Sequence, residues 1–243
     1  MSEHLRALVV IPTYNEAEGI ETLLAQALEA HPTLQILVVD DGSPDGTGDL
    51  VSKLAEDNER IRLMSRGAKL GLGKAYLAGF AEGLRGDFDC FIEMDADLSH
   101  DPADLPRLIE AAQSADVVIG SRYVEGGDVT GWTRGRHWLS WSANRYAQAM
   151  LGFPVRDSTA GFRCYRRHVL EAMDLGSITA EGYAFQVEMT HRAWRAGFAI
   201  VEIPIVFRER STGRSKMSRK IVLEGIWRVT RWGIGDLPRR LRR

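Results

Sequence analysis

The sequence predicts an α/β domain, a parallel sheet covered by helices on both faces. Three observations carry this. Short apolar runs alternate with longer amphipathic ones through the first 120 residues. The short runs are apolar almost throughout, as strands buried on two faces require. The chain has 243 residues, 44% hydrophobic and 26% charged, which suits one large soluble domain or two small ones.

The elements follow in order. Residues 7–11 (ALVVI) read as a buried strand that Pro12 ends. Residues 16–30 carry Ile20, Leu23, Leu24, Ala27 and Leu28 at helical spacing. Residues 35–40 (QILVVD) form a second strand, 49–56 a helix, and 61–64 a third strand. A helix over 72–84 leads to a fourth strand at 90–94 (CFIEM), and a helix over 102–113 to a fifth at 116–120 (DVVIG). The second half is less regular. It predicts helices over 137–151, with Trp138, Trp141 and Tyr146, and over 181–196, a short strand at 203–207, and a basic, aromatic-bearing helix over 215–232. Polar clusters sit at the carboxyl ends of strands one, two and four, where such sheets bind ligands.

Charge is unevenly spread. The net is −2, which predicts no nucleic-acid partner. Residues 208–243 hold 12 Lys/Arg against 3 Asp/Glu, while the rest hold 19 against 30, so an acidic body carries a basic tail. The two cysteines, Cys90 and Cys164, lie far apart, which points to a reducing compartment and no structural zinc. No stretch approaches the roughly 18 apolar residues of a membrane span, and the first apolar run is too short for a signal-peptide core. The chain is expected on the cytoplasmic side.

Several segments look like chemistry. A phosphate loop of the Gly-x4-Gly-Lys-Ser/Thr type needs glycine at 68 and Ser/Thr at 75, and both are alanine. The Gly-x-Gly-x-x-Gly pattern fails at Tyr76. Residues 67–74 remain a flexible loop opening a helix or a substrate-facing loop. Asp95 and Asp97, at i and i+2 after an apolar strand, share one side of an extended chain. Such a pair holds a divalent cation together with nucleotide phosphates, or caps the next helix in a solvated turn. The run from Asp40 to Thr47 is a turn with a helix cap, or places Asp40 or Asp41 against a nucleobase or ribose.

Taken together, Pro12-Thr13-Tyr14-Asn15-Glu16, the 38–47 segment, Asp95-Ala96-Asp97-Leu98-Ser99-His100 and Gly120-Ser121-Arg122-Tyr123 resemble the family 2 glycosyltransferases with a GT-A fold. That fold is a Rossmann-like, mixed, mainly parallel sheet. The segments 157–163, 181–186 and 210–217 narrow the resemblance to the dolichol-phosphate (polyprenol-phosphate) mannose synthases. It covers about residues 7 to 220. It implies a catalytic domain over 1–219 and a basic amphipathic tail over 220–243.

The resemblance implies an inverting transfer of mannose from GDP-mannose to polyprenyl or dolichyl phosphate, with Mg2+ or Mn2+ as cofactor. Pro12, Tyr14, Glu16 and Asp40 or Asp41 would receive the nucleoside. Asp95 and Asp97 would hold the metal, with Ala96 lining the site. Ser99 stands where some members carry glutamine, and is a poorer direct ligand. A phosphate acceptor is already anionic and needs no general base. It needs arginines to bring two anions together. Arg122 matches that position and Arg136 is the second candidate, while Arg210 and Lys216 would close over the diphosphate. Asp157 would order the acceptor loop or pair with an arginine.

In the tail, Ile221, Leu223, Ile226, Trp227, Val229 and Trp232 alternate with Arg219, Lys220, Arg228 and Arg231. This suits a helix at an anionic membrane surface, with the protein peripheral on the cytoplasmic face. The other reading is a helix packed on the catalytic domain. A UDP-glucose-dependent polyprenyl-phosphate glucosyltransferase and a non-catalytic sugar-nucleotide-binding partner are the alternative functions. A separate membrane subunit that positions the lipid is also compatible with the sequence.

Overall fold

The computed structural model describes residues 5–209 and 219–240. Seven strands form the main sheet: β1 (Ala7–Thr13), β2 (Gln35–Asp40), β3 (Ile61–Ser65), β4 (Cys90–Glu93), β5 (Val117–Ser121), β7 (Arg163–Arg166) and β8 (Ile200–Pro204). Their order is β3-β2-β1-β4-β7-β5-β8, and β7 runs antiparallel to both neighbours while the other pairings are parallel. The sheet is therefore mixed and mainly parallel. Two short strands, β6 (Asp128–Thr130) and β9 (Val206–Arg208), pair separately.

The helices are α1 (Ile20–Ala30), α2 (Thr47–Asp57), α3 (Leu72–Gly83), α4 (Leu105–Ala111), α5 (Arg134–Leu151), α6 (Arg167–Ala172), α7 (Tyr183–Ala196) and α8 (Arg219–Arg240). They cover both faces. Along β1, Ala7, Val9 and Ile11 join the core with α1 and α4, whereas Leu8 and Val10 join the core with α3 and α7. A strand buried on both sides has no polar position, so its sequence is apolar without alternation. Helix α3 lies close to the sheet because of small residues. A Cβ at Gly79 would stand 2.4 Å from Val10 Cγ1, and one at Gly83 the same 2.4 Å from Leu8 Cδ2.

Several expectations are corrected. Pro12 does not end the first strand, which continues to Thr13. The β4 pairing has stopped at Val10, so one side of Pro12 has no ladder partner and its missing N–H costs little. The single strand expected over 203–207 is two strands, β8 and β9, with Ile205 between them. β7 was not expected at all. The expected tail helix is present as α8, and one of its faces is packed. Val229 is buried in the α3/α7 core, Thr230 Oγ1 lies 2.6 Å from Tyr146 Oη, and Asp236 Oδ2 lies 2.5 Å from His191 Nε2. Its opposite face leaves Leu223, Trp227 and Ile234 exposed. Cutting the chain at Arg219 would therefore uncover core.

Candidate active site

The carboxyl ends of β1, β2, β4 and β5 open on one cavity of about 400 Å3. Of the residues singled out in the sequence, Pro12, Tyr14, Glu16, Asp41, Asp95, Ala96, Asp97, Ser99, Arg122 and Arg136 line it. Asp40 does not. Its carboxylate accepts from Thr13 Oγ1 at 2.8 Å and from Ser43 N at 2.9 Å, which fixes the turn after β2. Asp41 is the one that reaches the cavity, where Arg66 and the N–H groups of Leu70 and Gly71 hold its carboxylate. Arg210 and Lys216 lie outside the described residues.

The loop after β4 carries the carboxylate pair. Asp95 Oδ1 accepts from Tyr76 Oη at 3.2 Å, and Asp97 Oδ1 from Ser99 N at 3.1 Å. The Asp95 N–H donates to His100 Nδ1 at 3.4 Å. Burial drives the His100 pKa down to about 4, so its ring is neutral at pH 7 and acts as an acceptor. Two residues other than glycine have positive φ among those described, Asn15 (62°) and Leu98 (59°). One sits between Tyr14 and Glu16, the other between Asp97 and Ser99. Backbone strain of this kind gathers where a loop is shaped for a ligand.

The donor set fits a hard divalent cation that takes its remaining oxygens from a diphosphate. Two carboxylates face one cavity, and the Ser99 hydroxyl beside them is buried without a hydrogen-bond partner. Such a hydroxyl suits a metal-bound water better than the metal itself. No group of three or more acidic, histidine or cysteine ligands occurs among the described residues.

Arg122 is nearly buried and forked onto Asp157. Nε donates to Oδ2 at 2.7 Å and Nη2 to Oδ1 at 2.6 Å, while the Arg122 N–H adds a third bond at 3.0 Å. Burial opposes both charges. The pairing more than offsets it, raising the arginine pKa and holding the Asp157 carboxyl below its usual range. Asp157 is fixed in turn by loop 156–157, whose N–H groups donate to Glu202 at 2.8 and 2.9 Å. Arg136 pairs with Glu209, and its guanidinium carbon lies 4.3 Å from the Trp132 ring centre.

The glycosyl transferase family 2 model matches residues 8–174. The chain belongs to this family. This glycosyltransferase is 50% identical over 237 residues to the polyprenol monophosphomannose synthase of Mycolicibacterium smegmatis, covering 96% of this chain and 89% of that one. It is 49% identical over 230 residues to the undecaprenyl-phosphate mannosyltransferase of Micrococcus luteus, covering 95% of each. Among solved structures, glucosyl-3-phosphoglycerate synthase from Mycobacterium tuberculosis, in complex with Mn2+, UDP-glucose and phosphoglyceric acid, superposes with a TM-score of 0.68. Identity there is 20%, over 93% of this chain and 80% of that one, so the likeness is one of GT-A fold.

The glycosyltransferase also places in the cavity residues that sequence reasoning missed. Lys69 lines it, with Nζ 3.8 Å from the Tyr14 ring centre, so the 67–74 loop faces the site. Gln186, noted in the 181–186 segment without a role, also lines it, and Trp132, Thr159, Tyr183, Phe207 and Glu209 complete the wall. None of them stands in a motif of chemical residue types. The nearest signal was the narrowing segments 157–163 and 181–186, which contain Thr159, Tyr183 and Gln186.

Proposed function

We propose that the enzyme transfers mannose from GDP-mannose to polyprenyl phosphate, giving β-D-mannosyl phosphoryl polyprenol. One observation carries the lipid acceptor. The cavity at the strand ends adjoins a second, more strongly apolar one of about 370 Å3 between α5, α7 and α8. Trp132, Arg136, Thr159 and Tyr183 line both. Beyond them the second cavity is walled by Leu139, Ala143, Tyr146, Val187, Ile226 and Val229. A ligand with an anionic head and an apolar chain fits that junction. The names of the two relatives at about half identity agree with it.

In this reading Pro12, Tyr14, Glu16 and Asp41 hold the nucleoside. Asp95 and Asp97 hold Mg2+ or Mn2+, which when bound neutralises charge on the leaving diphosphate. Arg122 and Arg136 draw the lipid phosphate toward the anomeric carbon. A phosphate oxygen forms the new bond to that carbon as its bond to the diphosphate breaks from the opposite face, so the configuration inverts and GDP leaves. The acceptor oxygen needs no base. The Asp157 carboxylate, spent on Arg122, is not placed to act as one. Arg210 and Lys216, which lie outside the described residues, are assigned to the diphosphate by their charge.

Purified protein assayed with GDP-mannose and UDP-glucose side by side, on defined polyprenyl phosphates with Mg2+ or Mn2+, tests this reading. Mannosyl transfer from GDP-mannose is expected. Preference for UDP-glucose overturns the donor in favour of the glucosyl reading, and binding without transfer favours the non-catalytic one.

A lipid acceptor calls for work at a membrane surface. No described helix is long and apolar enough to cross one. Instead α5 exposes Trp138 and Trp141, and α8 exposes Leu223, Trp227 and Ile234, with the Arg231 guanidinium 5.4 Å from the Trp227 ring centre. Aromatic and basic side chains together suit an anionic lipid surface. Replacing Trp138 and Trp227 by serine is expected to weaken sedimentation with anionic liposomes at least ten-fold. Turnover of a short, soluble prenyl phosphate should stay within two-fold. Unchanged sedimentation would remove this face from the membrane.

A further inference from the structure

Beside the carboxylate pair lies a polar group with no work in the scheme above. Gln186, in the first turns of α7, is 3% exposed and lines the cavity at the strand ends. Its amide meets the Glu93 carboxyl, and its remaining donor and acceptor positions have no partner. Glu93, the last residue of β4, is completely buried, and its carboxyl faces the Gln186 amide and bonds to no other group. The neighbouring charge does not resolve this. Arg163 is spent on the carbonyls of Ser158, Ala160 and Gln186 and on Thr190 Oγ1, at 2.6 to 2.9 Å. Interiors rarely leave amides and carboxyls unsatisfied, and such groups commonly wait for a ligand.

The chemistry of an amide narrows what that ligand group is. It offers a donor and an acceptor side by side, which matches a hydroxyl. It suits a phosphate poorly, because phosphate oxygens only accept and would face the amide oxygen. It suits a prenyl chain not at all. The position agrees. Glu93 is two residues before Asp95, whereas the nucleoside candidates Pro12, Tyr14 and Asp41 lie at the ends of β1 and β2.

We propose that Gln186 determines donor-sugar specificity by hydrogen-bonding one hydroxyl of the sugar ring, with Glu93 beside it as a positioning residue for the amide. This rests on the cavity being the sugar-nucleotide site. A buried amide that bonds a substrate hydroxyl also penalises a sugar lacking it, since the amide is then left unpaired.

The test uses the full chain with Mn2+ and titration calorimetry. Gln186→Met keeps the volume and removes both polar atoms. It is expected to leave GDP affinity within two-fold and to weaken GDP-mannose at least ten-fold. With the unsubstituted protein, one of the monodeoxy GDP-mannoses should show the same loss, and Gln186→Met should bind that donor as well as it binds GDP-mannose. A purely structural role would not produce this coupling. Equal weakening of GDP and GDP-mannose, no weakening, or no coupled deoxy donor overturns the proposal. Should Gln186→Met not fold, Gln186→Glu, which retains one acceptor, is read by the same comparison. The donor reading fails separately. An unsubstituted protein that prefers UDP-glucose refutes GDP-mannose, and the comparison is then made with UDP and UDP-glucose. An unsubstituted protein that binds no sugar nucleotide overturns both.

Discussion

Asp157→Asn is expected to lower the unfolding free energy by about 3–5 kcal/mol, the usual cost of stripping one partner from a buried ion pair. The Arg122 side chain is 5% exposed and that of Asp157 fully buried, so water cannot replace the lost carboxylate. The loss should depend on pH in a definite sense. The folded pKa of Asp157 lies below its ordinary 3.8. Above that value the carboxylate is ionised in both states and its contribution is complete. As pH falls through the folded pKa the contribution is lost. Urea denaturation from pH 3 to 8 should show a constant gap between unsubstituted protein and variant down to about pH 5, narrowing below 3.8. A gap that persists undiminished at pH 3 would mean the ionised pair is not what stabilises this region. Transfer should fall as well, because the fork on Asp157 supplies two of the three side-chain hydrogen bonds that direct Arg122.

Asp97→Ala is expected to lower kcat by about a thousand-fold or more, roughly 4 kcal/mol of barrier, with the fold intact. Asp95 is better replaced by asparagine. Its Oδ1 receives the Tyr76 hydroxyl, whose ring is fully buried, and alanine would orphan that group at about 1–3 kcal/mol. Asp95→Asn should match Asp97→Ala in activity. Both should lose Mn2+ binding in calorimetry and keep the unsubstituted circular dichroism spectrum. Full turnover by either variant in EDTA would overturn the metal assignment.

The legible parts of this fold are those where local sequence and burial agree. β1, β2, β4 and β5 are apolar runs of the right length, and each is buried on both faces. β7 was hidden because Arg163-Cys164-Tyr165-Arg166 begins and ends in arginine. Its first arginine is fully buried only because carbonyls of a returning loop and of α7 surround it, a tertiary arrangement no local pattern announces. The candidate site divides the same way. Asp95 and Asp97 stand together in sequence at a strand end. Asp40 and Asp41 do too, but neighbouring residues on extended chain point to opposite sides, and which of them meets the cavity depended on the turn. Trp132 and Gln186 lie 54 residues apart and share a wall only in the folded chain, where the Trp132 ring centre comes 5.6 Å from that of Phe207 in β9. Gln186 was noticed in its motif, but the burial of its amide against Glu93 at the cavity wall could be seen only once its surroundings were.

The antiparallel strand has a consequence for assembly. β4 and β5 are consecutive in the chain yet never touch, because β7 stands between them and is synthesised more than 40 residues after β5 begins. The β3-β2-β1-β4 half, with its nucleoside loops and carboxylate pair, can therefore order early. It then waits with the β4 edge unpaired. Until residue 166 has left the ribosome, that edge is a place where a second nascent chain can add instead. A four-residue strand thus decides both when the growing chain stops being sticky and when Arg122 first comes to share a cavity with Asp95.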